Sequence, residues 1–97
     1  MKNIIKEAHE IIHERSQEKE RSYGPFSEGM CRAAKIAQGI TGKDFTAEDV
    51  YACMIALKLS RHSYNYKRDN LLDAIAYIGA LDDFINNYKK NKNGTSI

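Results

Sequence analysis

The chain has no tryptophan, one proline and two cysteines in 97 residues, and each scarcity excludes something. A single proline, at position 25, rules out a proline-rich linker and leaves long stretches free to be helical. Cys31 and Cys53 stand far apart without a nearby cysteine or histidine partner, so neither a zinc site nor a disulfide framework is suggested. No run approaches the roughly 18 apolar residues that a membrane span needs. Met1 to Ala8 carries Glu7 and no continuous apolar stretch, which does not fit a secretory signal, and the expected location is the cytoplasm, of a bacterial host on the resemblance given below. A strong excess of one charge is also missing. Fifteen Lys and Arg against 13 Asp and Glu give +2, too mild for the basic stripe of a duplex nucleic-acid binder.

What is present is an ordinary globular composition, 42% hydrophobic and 29% charged, at a length that holds one domain. A domain this small buries only about 60 to 65% of its unfolded surface, so association into a homo-oligomer is expected. The apolar spacing predicts four helices and no strand, at about 3–15, 25–39, 47–62 and 69–88, with a polar tail at 89–97. In the first, Ile4, Ile5, Ala8, Ile11 and Ile12 recur on one face; in the second, after Gly24 and a Pro25 suited to the first helical position, Phe26, Met30, Ala33, Ala37 and Ile40 do so. Gly42 marks a turn. Thr46 with Asp49 has the spacing of a capping box opening the third helix. That helix, from Val50 to Leu59, is apolar on nearly every side, which predicts a central buried helix, and Asp69 opens a fourth with Leu71, Ala74, Ile75, Ile78, Leu81 and Ile85 as its core face. Ala76, Gly79 and Ala80 form a small-residue patch suited to close helix packing, within or between chains. The fold class is all-α, a compact four-helix bundle-like domain at residues 1–88.

Three groups of residues could carry chemistry. Lys58 and Arg61 fall within about 60° of each other on the third helix, and Arg61 continues a stripe of Val50, Cys53, Met54 and Leu57. They either grip an anion or leave the helix end as solvated cations that suit its dipole. Asp69, Asn70, Asp73 and Tyr77 share a sector of about 100° on the fourth helix. The two acids could orient those cations or hold a divalent metal; Asp69 and Asn70 could equally be caps. The third group is aromatic and basic: Arg21, Tyr23 and Phe26 before the second helix, and His62, Tyr64, Tyr66, Lys67 and Arg68 before the fourth. Aromatic faces stack on bases and cations take phosphate, although each tyrosine alone could merely cover a core edge. His9 and His13, one turn apart, lie toward the polar face of the first helix without companion ligands and are expected to be solvated.

Taken in order, Arg21-x-Tyr23-Gly24-Pro25, Thr46-x-Glu48-Asp49-Val50, Met54-x-x-x-Lys58-x-x-Arg61 and Asp69-Asn70-x-x-Asp73-x-x-x-Tyr77 resemble small phage-encoded all-helical proteins of the nucleotide-modification-associated type, and more distantly the MazG-type pyrophosphohydrolases. The resemblance covers about residues 21–81 and implies a helical bundle of phage source involved with nucleotides. MazG-type enzymes hold magnesium with a Glu-Glu-x-x-Glu helix and a Glu-x-x-Asp helix, and neither Glu7, Glu10 and Glu14 nor Asp69 and Asp73 has that spacing. The expectation is therefore a binder of a nucleotide or nucleotide-derived signal, with no catalytic residue, no resident metal and no other cofactor. Two alternatives stand beside it. One is a divergent magnesium-dependent hydrolase using Asp69 and Asp73; the other is a protein-interaction module that inhibits a host enzyme.

Overall fold

The computed structural model describes residues 3–13 and 25–89. Helix α1 spans Ile4–His13, α2 Phe26–Thr41, α3 Ala47–Tyr64 and α4 Arg68–Asp83, and α4 runs on into a π-helical turn at Phe84–Lys89. No strand occurs among the described residues. The four-helix, all-α expectation therefore holds.

Local chemistry sets most of the helix ends. Asn3 Oδ1 accepts from the Ile5 N–H at 2.9 Å and caps α1. Pro25 is the N-cap of α2 rather than its first residue, with ψ 140 leaving it extended, so its missing N–H costs no helical bond. Gly42 closes α2 at φ 72, the left-handed region that glycine enters without a Cβ clash, and its N–H donates to the Gln38 carbonyl at 2.9 Å. The capping box is present in both directions: Asp49 N–H donates to Thr46 Oγ1 at 3.1 Å and Thr46 N–H donates to Asp49 Oδ2 at 2.9 Å. α4 differs from the expectation. It starts at Arg68, its N-cap Lys67 supplies no side-chain hydrogen bond, and Asp69 lies in the first turn instead of opening the helix.

Two apolar clusters hold the helices. The larger joins α2, α3 and the end of α4 around Met30, Ala47, Tyr51 and Phe84, with Phe26, Met54, Tyr77, Ala80 and Leu81 packed against them. Its centre is Tyr51, 1% exposed, with ring centroids 5.9 Å from Phe26 and 5.5 Å from Phe84. The smaller joins α1 to α4 through Ala8, Leu72 and Ala76, flanked by Ile4, Ile12 and Ile75. Glu7 meets Arg68 and Ile12 lies over Gly79, so α1 runs along α4 in the same direction. The small-residue patch thus serves close packing within the chain. A Cβ at Gly79 would run into Ile12 Cδ1.

These clusters make α4 the central helix and correct the expectation that α3 is. α4 buries one side on α1 and another on α3, whereas Ala52, Cys53, Ala56, Leu57 and Leu59 of α3 are exposed. The reason is geometric: an all-apolar helix satisfies one stripe here, Ala47, Tyr51, Met54, Ile55, Lys58 and His62, and no described element covers the rest. Ile78 and Ile85, expected in the α4 core face, are likewise exposed; Ala74 is buried as expected, and Leu72, Ala76 and Phe84 join it. On α1 the buried residue is Ala8, with Ile5 and Ile11 exposed; on α2 the buried pair is Met30 and Ala34, with Ile40 exposed.

Two measurements follow from this packing. Gly79→Val obliges the end of the Ile12 side chain to move, and its second methyl crowds the α1 contact further, so the melting point should drop, by up to about 8 °C for a loss of about 1 kcal/mol. An unchanged melting point would mean that α1 does not rest on Gly79. The second concerns Tyr51, whose phenol is pushed up from 10.0 to about 12, chiefly because burial disfavours the phenolate and further because Cys31 and Asp83 lie near it. Across that window the unfolded chain gives up a proton that the fold retains, so stability is intact below pH 10 and falls as pH rises toward about 12. Urea midpoints should show this fall in the parent and a shallower one in Tyr51→Phe; parallel curves would show that Tyr51 does not cause it.

Candidate functional site

The α3–α4 hairpin sets the geometry of the candidate site. Its register is fixed by contacts at successive levels: Ala47 and Tyr51 with Phe84 and Ala80, Met54 and Tyr77 in the same cluster, and Lys58 bonded to Asp73. One turn further on, the same register brings His62 level with Asp69. The hairpin then reverses at residues 65–67.

Lys58 Nζ lies 3.2 Å from Asp73 Oδ2, with the lysine side chain 16% exposed and the aspartate 41%. The stem of Lys58 lies in the buried stripe of α3 while its ammonium is neutralised across the helix pair. Arg68, the first residue of α4, donates through Nη2 to Glu7 Oε2 at 2.7 Å. That bond, together with the nearby negative charge of Glu7, holds the guanidinium above its usual value. It also offsets the unfavourable position of a cation at a helix N-terminus. Two of the expected anion-gripping residues are therefore tied to carboxylates.

The other candidates separate. Phe26 and Tyr77, each half-buried, pack against the core cluster with their ring centroids 6.0 Å apart. Arg61 is exposed and does not accompany Lys58, because it sits on the flank of α3 with the exposed Leu57. Asp69 is exposed, and Asn70 is half-buried with its N–H donating to the Lys67 carbonyl. Arg21 and Tyr23 lie outside the described residues, as does the side chain of His13. His9 is exposed.

What the hairpin does gather at its corner is Arg61, His62, Tyr64, Tyr66 and Lys67. Tyr64 is 92% exposed and Tyr66 63%. The Tyr66 ring meets His62 edge-on at 5.9 Å, and the His62 Nδ1, enclosed by its neighbours, has no hydrogen-bond partner. Sequence reasoning missed Glu7 as the partner of Arg68, since nothing in the α1 pattern marks a contact 61 residues away. It also passed over Tyr51, which the apolar run of α3 does not set apart from its neighbours.

The exposure of Asp73 decides how much the Lys58 pair contributes. A carboxylate this open to water is well screened, so a double-mutant cycle with Lys58→Met and Asp73→Asn should give a coupling below about 1 kcal/mol. A coupling of several kcal/mol would identify a dry, buried pair instead.

Comparison with known proteins adds a family. Over 83 residues the chain is 36% identical to the "Gene 55 protein" of Mycobacterium phage L5; the match covers 82% of this chain and 51% of that protein. The chain thus spans about half the length of the curated relative it matches. The likeness supports a phage-encoded small protein, as the sequence suggested. No solved structure matches. Residues 3–85 match the family described as Domain of unknown function (DUF6378), and the chain belongs to that family.

Proposed function

We propose that this phage-type protein binds a nucleotide or nucleotide-derived signal at the α3–α4 corner and holds it without turnover. The observation that carries the reading is the outward pair Tyr64 and Tyr66, flanked by the exposed cations Arg61 and Lys67. Two large aromatic rings in water contribute little to packing, and a base stacked on a tyrosine face gains about 1 to 3 kcal/mol. Lys67 and Arg61 have no ion-pair partner among the described residues and can meet phosphate. The half-buried His62 ring backs Tyr66 edge-on. Lys58, Arg68, Phe26 and Tyr77 leave the ligand-binding set, because their charges or rings are already engaged. Withholding such a signal from host defence, in the cytoplasm of an infected bacterium, suits a phage-encoded protein by analogy.

The hydrolase reading asks Asp69 and Asp73 to hold magnesium, in competition with the Lys58 bond to Asp73. No group of three metal-ligating side chains occurs among the described residues. An interaction module that inhibits a host enzyme is favoured by one specific feature, the exposed Ala52, Cys53, Ala56, Leu57 and Leu59 of α3.

The test is a thermal-shift screen against nucleoside mono- and triphosphates, cyclic dinucleotides and ADP-ribose derivatives, with and without magnesium. A ligand at about 100 times its dissociation constant adds about 2.7 kcal/mol, enough to raise the melting point by about 10 °C. Tyr66→Ala and Lys67→Ala should abolish the shift while leaving the unliganded melting point within about 2 °C, since both side chains are exposed. A shift seen only with magnesium and followed by pyrophosphate release would move the assignment to a hydrolase. No shift with any ligand would leave the interaction module.

A further inference from the structure

Arg68 stands beside the proposed ligand site, yet its charge is engaged by another helix. It follows Lys67 directly and Tyr66 by two positions, so its Cα lies within about 7 Å of that of Tyr66. Its Nη2 meets Glu7 Oε2 of α1 at 2.7 Å. A cation at the start of α4 is at the unfavourable end of the helix dipole, so α4 by itself gives no reason for an arginine there. Neither partner is sealed from water, for the Arg68 side chain is 34% exposed and that of Glu7 22%. A guanidinium takes a carboxylate and a phosphate through the same planar fork of N–H donors. A phosphate arriving at the corner therefore competes with Glu7 for the same group.

The hold of α1 on the rest of the chain makes that competition consequential. α1 packs on α4 through the smaller cluster, Ala8 with Leu72 and Ala76, and has no comparable packing with α2 or α3 among the described residues. Ile5 and Ile11 stay exposed. The larger cluster around Tyr51 contains no residue of α1. Glu7 is the neighbour of Ala8, so the bond to Arg68 and the seating of α1 stand or fall together.

We infer that Glu7 is a built-in competitor of the ligand's phosphate: docked α1 withholds Arg68 from the α3–α4 corner, and a phosphate that takes Arg68 loosens α1. The inference rests on the nucleotide-binding reading of that corner and adds its regulation. With Glu7 displaced, Arg68 becomes a third cation beside Arg61 and Lys67. Coupling of this kind is reciprocal, so whatever unseats α1 strengthens phosphate binding by the same factor by which phosphate unseats α1. The rest of the fold is left in place, because the Tyr51 cluster does not draw on α1.

The test titrates inorganic pyrophosphate into the full chain and follows the backbone amide signals. Glu7→Gln keeps the size of the side chain and removes its charge, and it should bind pyrophosphate at least about fivefold more tightly than the parent. Arg68→Gln should weaken binding and erase the gain from Glu7→Gln. A gain that persists without Arg68 would be a general effect of deleting one negative charge, and would overturn the inference. Ala8→Gln unseats α1 without altering either partner, and it should tighten binding as well. In the parent, saturating pyrophosphate should speed hydrogen exchange across α1 and leave the amides around Tyr51 unchanged. Equal affinity in the parent and Glu7→Gln, with binding lost in Lys67→Ala, overturns the competitor and leaves the corner standing. No binding to either the parent or Glu7→Gln overturns both.

Discussion

The packing of α3 on α4 around Tyr51 is the constraint on which the rest of the chain depends. One buried aromatic ring, held between Phe26 and Phe84, fixes how α3 lies against the end of α4 and brings α2 onto both. From that level the antiparallel register runs outward turn by turn, through Met54 and Tyr77 to the Lys58 bond with Asp73 and then to the corner. A phenol is an unusual hub for so small a core, because its hydroxyl must be accommodated as well as its ring. The gain is area: the one ring meets Phe26 and Phe84 together.

Much of the fold was legible from spacing alone, and the exceptions share one cause. Thr46 with Asp49, Gly42 and the four helical stretches were readable because caps, left-handed turns and periodicity are local properties. Which helix is central was not, because an apolar residue does not state whether a neighbour covers it. Leu57 and Leu59 look like core in the sequence and face outward in the fold, while Ala34, outside the stripe expected of its helix, is buried. Small residues sit at the closest helix approaches, so burial here follows proximity more than hydrophobicity.

The candidate site was legible to the same partial degree. The sequence reading placed His62 to Arg68 in one polar, aromatic connection; in the structure the helix continues through Tyr64 and the next begins at Arg68, so only residues 65–67 connect them, with Tyr64 and Tyr66 outward at the corner. The pairing of charges was readable in part. Asp73 was expected as an acid that could orient Lys58 and Arg61, and it meets Lys58, whereas the pairing of Arg68 with Glu7 across most of the chain was not foreseen. Salt bridges between helices depend on register, which a single sequence does not contain.

The division of the apolar residues into two clusters has a consequence for how the chain assembles. The cluster around Tyr51 uses α2, α3 and α4, which follow one another with short connections. The cluster around Ala8 needs α1 brought to a helix whose Arg68 lies 61 positions beyond Glu7. Closing that loop carries a larger entropy cost than turning either hairpin, and the surface α1 lands on does not exist until Leu72, Ala76 and Gly79 are aligned on a formed helix. The three later helices are therefore a platform, and α1 is the piece laid upon it.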